Sequence, residues 1–290
     1  MSRKKKILLI IGIIFIWLML SLIFTVFYIQ ANMLFYPWHD AESYETLKNE
    51  ESFEELKIDN NGKVLSGWLK KNTMKTPAPL VILYGGNVQN SSNTCMRYLE
   101  EDRFQYLEEY NFMVVDYPEY GLSEGKASEK SIFEAALRVY DYASKLDIVD
   151  QNNIVVMGYS LGSGVATYVA SQRNVNGLIL LAPYDTMLSV YNSYFNVFHG
   201  PIKILARYKF ESTKYAQDVN VAPLIITSYD DEVINYQFSL NLASYFKDVE
   251  EKMVLENGVK HADYLEQEIV WESINKYLNR RNIEENNENR

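Results

Sequence analysis

An α/β fold, with a mostly parallel sheet covered by helices on both faces, is predicted by three observations. Short apolar runs at 79–83, 112–115, 154–157, 178–181 and 224–228 have the length and β-branched content of buried strands, and amphipathic segments separate them. Gly158-Tyr159-Ser160-Leu161-Gly162 lies between the apolar run Ile154-Val155-Val156-Met157 and the small-residue segment Ser163-Gly164-Val165-Ala166, which places a tight turn between a strand and a helix. The roughly 260 residues left after an N-terminal apolar run suit one α/β domain with a sizeable core.

Taken in order, residues 1–29 are expected to form a cytoplasmic N-terminus and a membrane anchor, and 30–51 a lead-in. Segments 53–58 and 64–70 are expected to pair as antiparallel strands around Asn60-Asn61-Gly62, and Thr73 to Pro77 to form a surface loop. Strand 79–83, a helix near 94–109 and strand 112–115 follow. Ser131 and Glu134 have capping-box spacing at the front of a helix over 131–145. After strand 178–181 the alternation breaks. Between about 184 and 219, Met187, Leu188, Tyr191, Tyr194, Phe195 and Phe198 crowd into a segment that reads as a short helical lid. Strands 224–228 and 252–255 complete the 30–280 domain, and 281–290 reads as a disordered polar tail.

The anchor is read from an uncharged apolar run over 7–29, which at 1.5 Å per residue reaches roughly 35 Å against a hydrocarbon core of about 30 Å. It is too long for the apolar region of a cleaved signal peptide, and Gln30-Ala31-Asn32-Met33 makes a poor cleavage site. Arg3, Lys4, Lys5 and Lys6 precede the run, whereas Asp40, Glu42 and Glu45 follow it. The positive-inside rule then keeps the N-terminus in the cytoplasm and sets the domain outside, single-pass, in the plasma membrane.

The chain carries 28 basic and 38 acidic residues, a net charge of −10, and the balance is more acidic still beyond the cationic N-terminus. This argues against nucleic acid or an anionic membrane face as a partner of the domain. Cys95 is the sole cysteine, so no intrachain disulfide forms. No His/Cys/Asp cluster has metal-ligand spacing, and no cofactor or metal is expected. Asn90-Ser91-Ser92 is a glycosylation sequon beside the expected site, which favours a bacterial source.

The chemistry-bearing residue is Ser160. A serine between glycines at a strand-to-helix turn is pushed above the sheet edge, where its hydroxyl can act as a nucleophile. Such a serine is followed in chain order by an acid and a histidine. Asp230 and Asp231 both lie just after strand 224–228, and His261 is the one histidine of three on a loop after the last strand. An imidazole can take the serine proton and return it to a leaving group, while a carboxylate on its other nitrogen fixes tautomer and orientation. Gly85-Gly86, at the end of strand 79–83, lets main-chain N–H groups face the site. With Leu161, Asn87 is expected to hold a developing oxyanion.

These residues resemble the α/β-hydrolase superfamily, and within it the membrane-anchored serine hydrolases of the serine-aminopeptidase-like and α/β-hydrolase-domain type. The resemblance runs from Gln30 to Leu278. It includes Leu83-Tyr84-Gly85-Gly86-Asn87-Val88-Gln89-Asn90, similar to the family's His-Gly-Asn-Ala-Gly-Asn oxyanion segment, and Asp116-Tyr117-Pro118-Glu119-Tyr120-Gly121-Leu122-Ser123-Glu124-Gly125, similar to its Asp-Tyr-Arg-Gly-Tyr-Gly-x-Ser-x-Gly loop. Ala182-Pro183-Tyr184 and Asp231-Glu232-Val233-Ile234 also match. Gly85 stands where the family has histidine, and Ser228 where it commonly has glycine.

The resemblance selects Asp231 over Asp230 and implies an α/β-hydrolase fold with a catalytic Ser160, Asp231 and His261. The expected function is a membrane-anchored serine hydrolase that cleaves a carboxylic ester or thioester of a small-molecule or acylated substrate through an acyl-enzyme. Met187, Tyr191, Phe195 and Phe198 of the lid are expected to line an apolar acyl pocket. The alternatives are a serine peptidase or aminopeptidase, and a non-catalytic membrane-tethered binding protein that keeps the fold.

Overall fold

The computed structural model describes residues 2–256 and 258–288. A long helix, α1 (Arg3–Leu34), leads into a short α2 (Ala41–Leu47) and then into an 8-stranded sheet. Among the described residues α1 is the one helix long and apolar enough to cross a membrane, and its apolar stretch is not buried against the rest of the chain.

The sheet opens with β1 (Phe53–Asn60) and β2 (Lys63–Lys70), an antiparallel pair closed at Asn61-Gly62. Both turn residues have positive φ, 57° and 80°, as a two-residue hairpin turn that matches strand twist requires. Next come β3 (Ala78–Tyr84), β4 (Asn111–Val115), β5 (Val149–Tyr159), β6 (Gly177–Leu181), β7 (Leu224–Ser228) and β8 (Glu251–Leu255). The order is β1-β2-β4-β3-β5-β6-β7-β8, with β2 antiparallel to β4 and every pair beyond it parallel.

Every residue of β3, β6 and β7 is buried, because a parallel sheet is covered on both faces and these strands are predominantly apolar. Alternate residues divide between two cores. Leu80, Ile82, Ile154 and Val156 face α4 (Glu129–Ala143) and α5 (Leu161–Gln172). Val81, Leu83, Val155 and Met157 face α3 (Ser91–Glu100) and α9 (Glu268–Glu288), where Trp271 and Ile274 are fully buried. The lid between β6 and β7 contains α6 (Met187–Phe195), a 3-10 turn (Gly200–Leu205) and α7 (Ser212–Ala216). Helix α8 (Tyr236–Ala243) follows β7.

Three local expectations are corrected. The helix expected near 94–109 is broken at Asp102, whose φ of 54° ends α3 and starts a separate 3-10 turn, Arg103–Leu107. Helix α4 begins before Ser131: the Ser128 hydroxyl accepts from the Ser131 N–H at 3.1 Å, while the Ser131 hydroxyl donates to the Lys126 carbonyl. In place of disorder from the start of the tail, α9 continues to Glu288, and Asn282 bonds Glu109 at 2.6 Å, which docks the first residues of the tail on the domain. Residues 289 and 290 of the expected tail lie outside the described residues, as does Met1.

Candidate active site

The site residues sit at the carboxyl ends of parallel strands, where α/β sheets commonly bind ligands. Ser160 follows β5, Asp231 follows β7, His261 follows β8 and Asn87 follows β3. Ser160 has φ 52° and ψ −119°, a conformation unusual for a residue with a side chain, and its N–H donates to the Leu181 carbonyl at 2.9 Å. The turn closes only because its flanks are glycine. A Cβ on Gly158 would meet the Gly162 carbonyl oxygen at 2.3 Å, and one on Gly162 would meet that of Tyr84 at 1.9 Å.

The three predicted residues come together. His261 Nε2 is 2.9 Å from Ser160 Oγ, and His261 Nδ1 is 2.9 Å and 3.0 Å from the two carboxylate oxygens of Asp231. The Asp231 side chain is fully buried. The N–H groups of Val233 and Ile234 donate to its Oδ1 at 2.9 and 2.7 Å, and Tyr264 O–H donates to its Oδ2 at 3.0 Å. Asp230, by contrast, is exposed and accepts from the Gly258 N–H at 2.9 Å, away from the imidazole. Ser228 hydroxyl donates to the Val259 carbonyl at 2.6 Å, so this departure from the family pattern ties the acid loop to the histidine loop.

Two tyrosines that sequence reasoning missed complete the setting. Tyr159 donates to the His261 carbonyl and stacks on its ring, with centroids 5.5 Å apart and planes 20° apart. Burial, with the charge of Asp231 beside them, pushes both the Tyr159 and Tyr264 phenols up, so both remain hydrogen-bond donors at working pH. Tyr159 could have been noticed as the residue preceding the serine. Nothing in the local sequence marks Tyr264.

The expected oxyanion donors lie on the same cavity as Ser160 and His261. Leu161 opens α5, so its N–H has no carbonyl one turn back to bond. Asn87 is at the corner of a turn closed by Gln89 N–H to the Gly86 carbonyl at 3.2 Å, and Gln89 Oε1 accepts from Gly86 N–H at 2.7 Å. Its carbonyl accepts from Tyr120 O–H at 2.8 Å and from Tyr36 N–H at 3.3 Å, and Tyr117 O–H holds the Gly85 carbonyl at 2.9 Å. The Gly-Gly segment is therefore braced from several sides. Among the described residues the Asn87 N–H donates to no protein acceptor. Asn90 caps α3 and is 3 % exposed, so the sequon is occupied by a structural role and says nothing of the compartment.

The cavity measures about 360 Å³. From the lid, Met187 and Tyr191 reach it as expected, joined by Val190 and Tyr194, with Val233 and the α1 residues Met33 and Leu34 closing the walls. Phe195 and Phe198 do not line it. Phe195 lies one position off the cavity face of α6 and is half exposed. Phe198 falls after the helix ends at left-handed Asn196 and packs against Tyr191, with ring centroids 5.7 Å apart.

The family profile described as alpha/beta hydrolase fold matches residues 78–200, which contain Asn87, Ser160 and Leu161. A Mycobacterium tuberculosis protein, named only as uncharacterized, is 25 % identical over 220 residues, covering 75 % of this chain and 76 % of its own length. Lysophosphatidylserine lipase ABHD12 of Macaca fascicularis is 27 % identical over 157 residues, 47 % of this chain and 37 % of the lipase. Among solved structures, the Pyrococcus furiosus esterase Pf2001 superposes with a TM-score of 0.65 at 15 % identity over 85 % of this chain and 98 % of the esterase. Est1E of Butyrivibrio proteoclasticus, with ferulic acid bound, gives 0.63 at 17 % identity over 79 % and 98 %. By its sheet order, its strand-to-helix turn at Ser160 and these matches, the chain has the α/β-hydrolase fold.

Proposed function

We propose that the protein is a serine hydrolase, anchored in a membrane by α1, that cleaves a carboxylic ester or thioester through an acyl-enzyme on Ser160. The observation that carries this reading is the continuous contact from Ser160 Oγ through His261 to the Asp231 carboxylate, 2.9 Å at each junction. With Nδ1–H directed at Asp231, Nε2 has a lone pair for the serine proton.

Ser160 Oγ adds to the substrate carbonyl carbon as its proton passes to His261 Nε2. The carbonyl π pair moves to oxygen, and that oxyanion is held by the N–H groups of Leu161 and Asn87. Collapse of the intermediate re-forms the carbonyl and breaks the bond to the alcohol or thiol, which leaves with the proton from Nε2. Water then adds to the acyl-enzyme by the same route, His261 returns the proton to Ser160 Oγ, and the carboxylic acid departs. Residues of this chain suffice for each proton transfer.

The choice of acyl over aminoacyl substrates rests on the cavity wall. Met33, Leu34, Met187, Val190 and Val233 are apolar, and among the described residues no carboxylate lines the cavity to receive an α-ammonium group. The similarity to a protein named as an esterase and to one named as a lysophosphatidylserine lipase supports the same choice. The cationic residues before the apolar run of α1 support an N-terminus in the cytoplasm and a domain outside it.

The test is labelling of the full chain in detergent micelles with a fluorophosphonate. Wild type should label, Ser160→Ala should not, and acyl-ester turnover should fall by several powers of ten in the variant. Equal labelling of the two proteins rejects Ser160 as the nucleophile.

A further inference from the structure

Helix α1 does more than tether the domain: it runs without a break from the apolar stretch into the wall of the catalytic cavity. Gln30, the first residue beyond that stretch, is buried at 4 % exposure. Its Nε2 donates to the Leu205 carbonyl at 2.8 Å, and its Oε1 accepts from the Arg207 N–H at 2.8 Å. The lid is thus clamped to the helix at the depth where the apolar stretch ends. Phe35 packs edge-on against Tyr208 with centroids 4.9 Å apart, and Met33 and Leu34 line the cavity beside Ser160 and His261. At 1.5 Å per residue, this wall stands roughly 6 Å beyond Ile29, about the depth of one headgroup layer.

The lid face clamped at this level is apolar where a water-soluble domain would be polar. Phe195 and Val197 are each 50 % exposed, Ile202 is 51 % and Ile204 is 84 %. Lys203 and Arg207, both exposed, are interspersed with them, and the Arg207 guanidinium lies 5.8 Å from the ring of Phe27 on α1. Apolar side chains mixed with basic ones at the end of a membrane helix are what an interfacial segment requires.

We infer that the lid edge at Phe195, Val197, Ile202 and Ile204 is seated in the leaflet at which α1 ends, and that the cavity draws its substrate sideways from that leaflet. The substrate class is then a single-chain acyl amphiphile resident in the membrane. A cavity of about 360 Å³ is at the small end of ligand pockets, roughly 300–1,000 Å³, and suits one acyl chain better than two. The lipid-entry inference rests on the Ser160 reading, but the seating of the lid does not.

The experiment uses the full chain in phosphatidylcholine vesicles. Cys95 is buried with its thiol pushed well up, so a thiol-reactive fluorophore is directed to an Ile204→Cys variant or, at the opposite end of the sheet, to Asn152→Cys. Headgroup-proximal nitroxide lipids should quench the fluorophore at 204 at least threefold more than at 152. Equal quenching overturns the seating, whatever the activity. In a second arm, Ile204→Asp should cut hydrolysis of a vesicle-borne long-chain lysolipid ester about tenfold while a short soluble ester and fluorophosphonate labelling are unchanged. Quenching at 204 together with equal use of vesicle-borne and soluble esters overturns the sideways entry. A wild type that takes no fluorophosphonate rejects the serine-hydrolase reading instead, and the quenching still reports where the lid lies.

Discussion

Tyr264 donates its phenolic O–H to Asp231 Oδ2 at 3.0 Å, on the same carboxylate that faces His261 Nδ1. The tyrosine is fully buried, and losing its hydroxyl would leave His261 Nδ1 as the remaining donor to that carboxylate oxygen. Val233 and Ile234 N–H groups hold the other oxygen. The plane of the carboxylate, and through it the imidazole, is therefore set by both a loop and a phenol.

Tyr264→Phe removes one of these ties without opening a cavity. The variant should fold, label with fluorophosphonate more slowly, and lose about tenfold in kcat with KM unchanged, as expected for roughly 1–2 kcal/mol of lost support at the acid. An unchanged kcat would show that the loop amides alone suffice.

The neighbouring aspartates should separate cleanly. Asp231→Asn leaves a side chain that can favour the wrong histidine tautomer, and turnover should drop by roughly 10⁴. Asp230→Asn keeps an acceptor for the Gly258 N–H and should change turnover less than threefold, by the modest worth of an exposed bond. Steady-state kinetics on both variants, with circular dichroism to confirm equal folding, decides the assignment. A greater loss from Asp230→Asn reverses it.

Buried parallel strands were legible because each carries a short, mostly apolar run, and the glycine-flanked serine because its turn excludes side chains. The errors have tertiary causes. Ser128 and Ser131 both look like helix caps, and the choice between them follows Glu129, whose carboxylate accepts from the Lys209 and Phe210 N–H groups of the lid. In the lid, Met187, Val190, Tyr191 and Tyr194 fall at i, i+3, i+4 and i+7 and share one helix face. Phe195 is a further 100° around, which its sequence neighbours do not reveal until the helix has a defined partner. The contribution of Met33 and Leu34 was hidden because it depends on where the domain docks on α1.

Asp116 supplies a pH-dependent term in stability. It is buried and accepts from the Ser91 N–H at 2.6 Å and the Ser91 hydroxyl at 2.7 Å, yet burial pushes its carboxyl up to about 6. In the unfolded chain it titrates near 3.9. The folded state therefore favours the protonated form. The associated stability is fully present below pH ~4 and is lost as pH rises through about 6, by up to roughly 2–3 kcal/mol. Urea unfolding in micelles should show this decline in wild type, and Asp116→Asn should flatten it between pH 4 and 7. A pH profile that Asp116→Asn leaves unchanged over that range refutes the assignment to Asp116.

The lid should divide into residues that set acyl-chain preference and residues that hold the lid together. Each buried CH₂ contributes about 0.8 kcal/mol at most, so kcat/KM for soluble esters should rise by up to roughly fourfold per carbon until the cavity is full. Met187→Trp or Val190→Trp narrows the cavity and should shift the optimum to shorter chains, with acetyl esters keeping their rate because Ser160 is untouched. Phe195→Ala should leave the soluble chain-length series as it was, since that ring points away from the cavity. Phe198→Ala should instead lower stability by about 3 kcal/mol, because the ring is buried against Tyr191. A series in which acetyl and octanoyl esters react equally, or in which only aminoacyl amides react, would reject the acyl cavity and turn the assignment toward a peptidase.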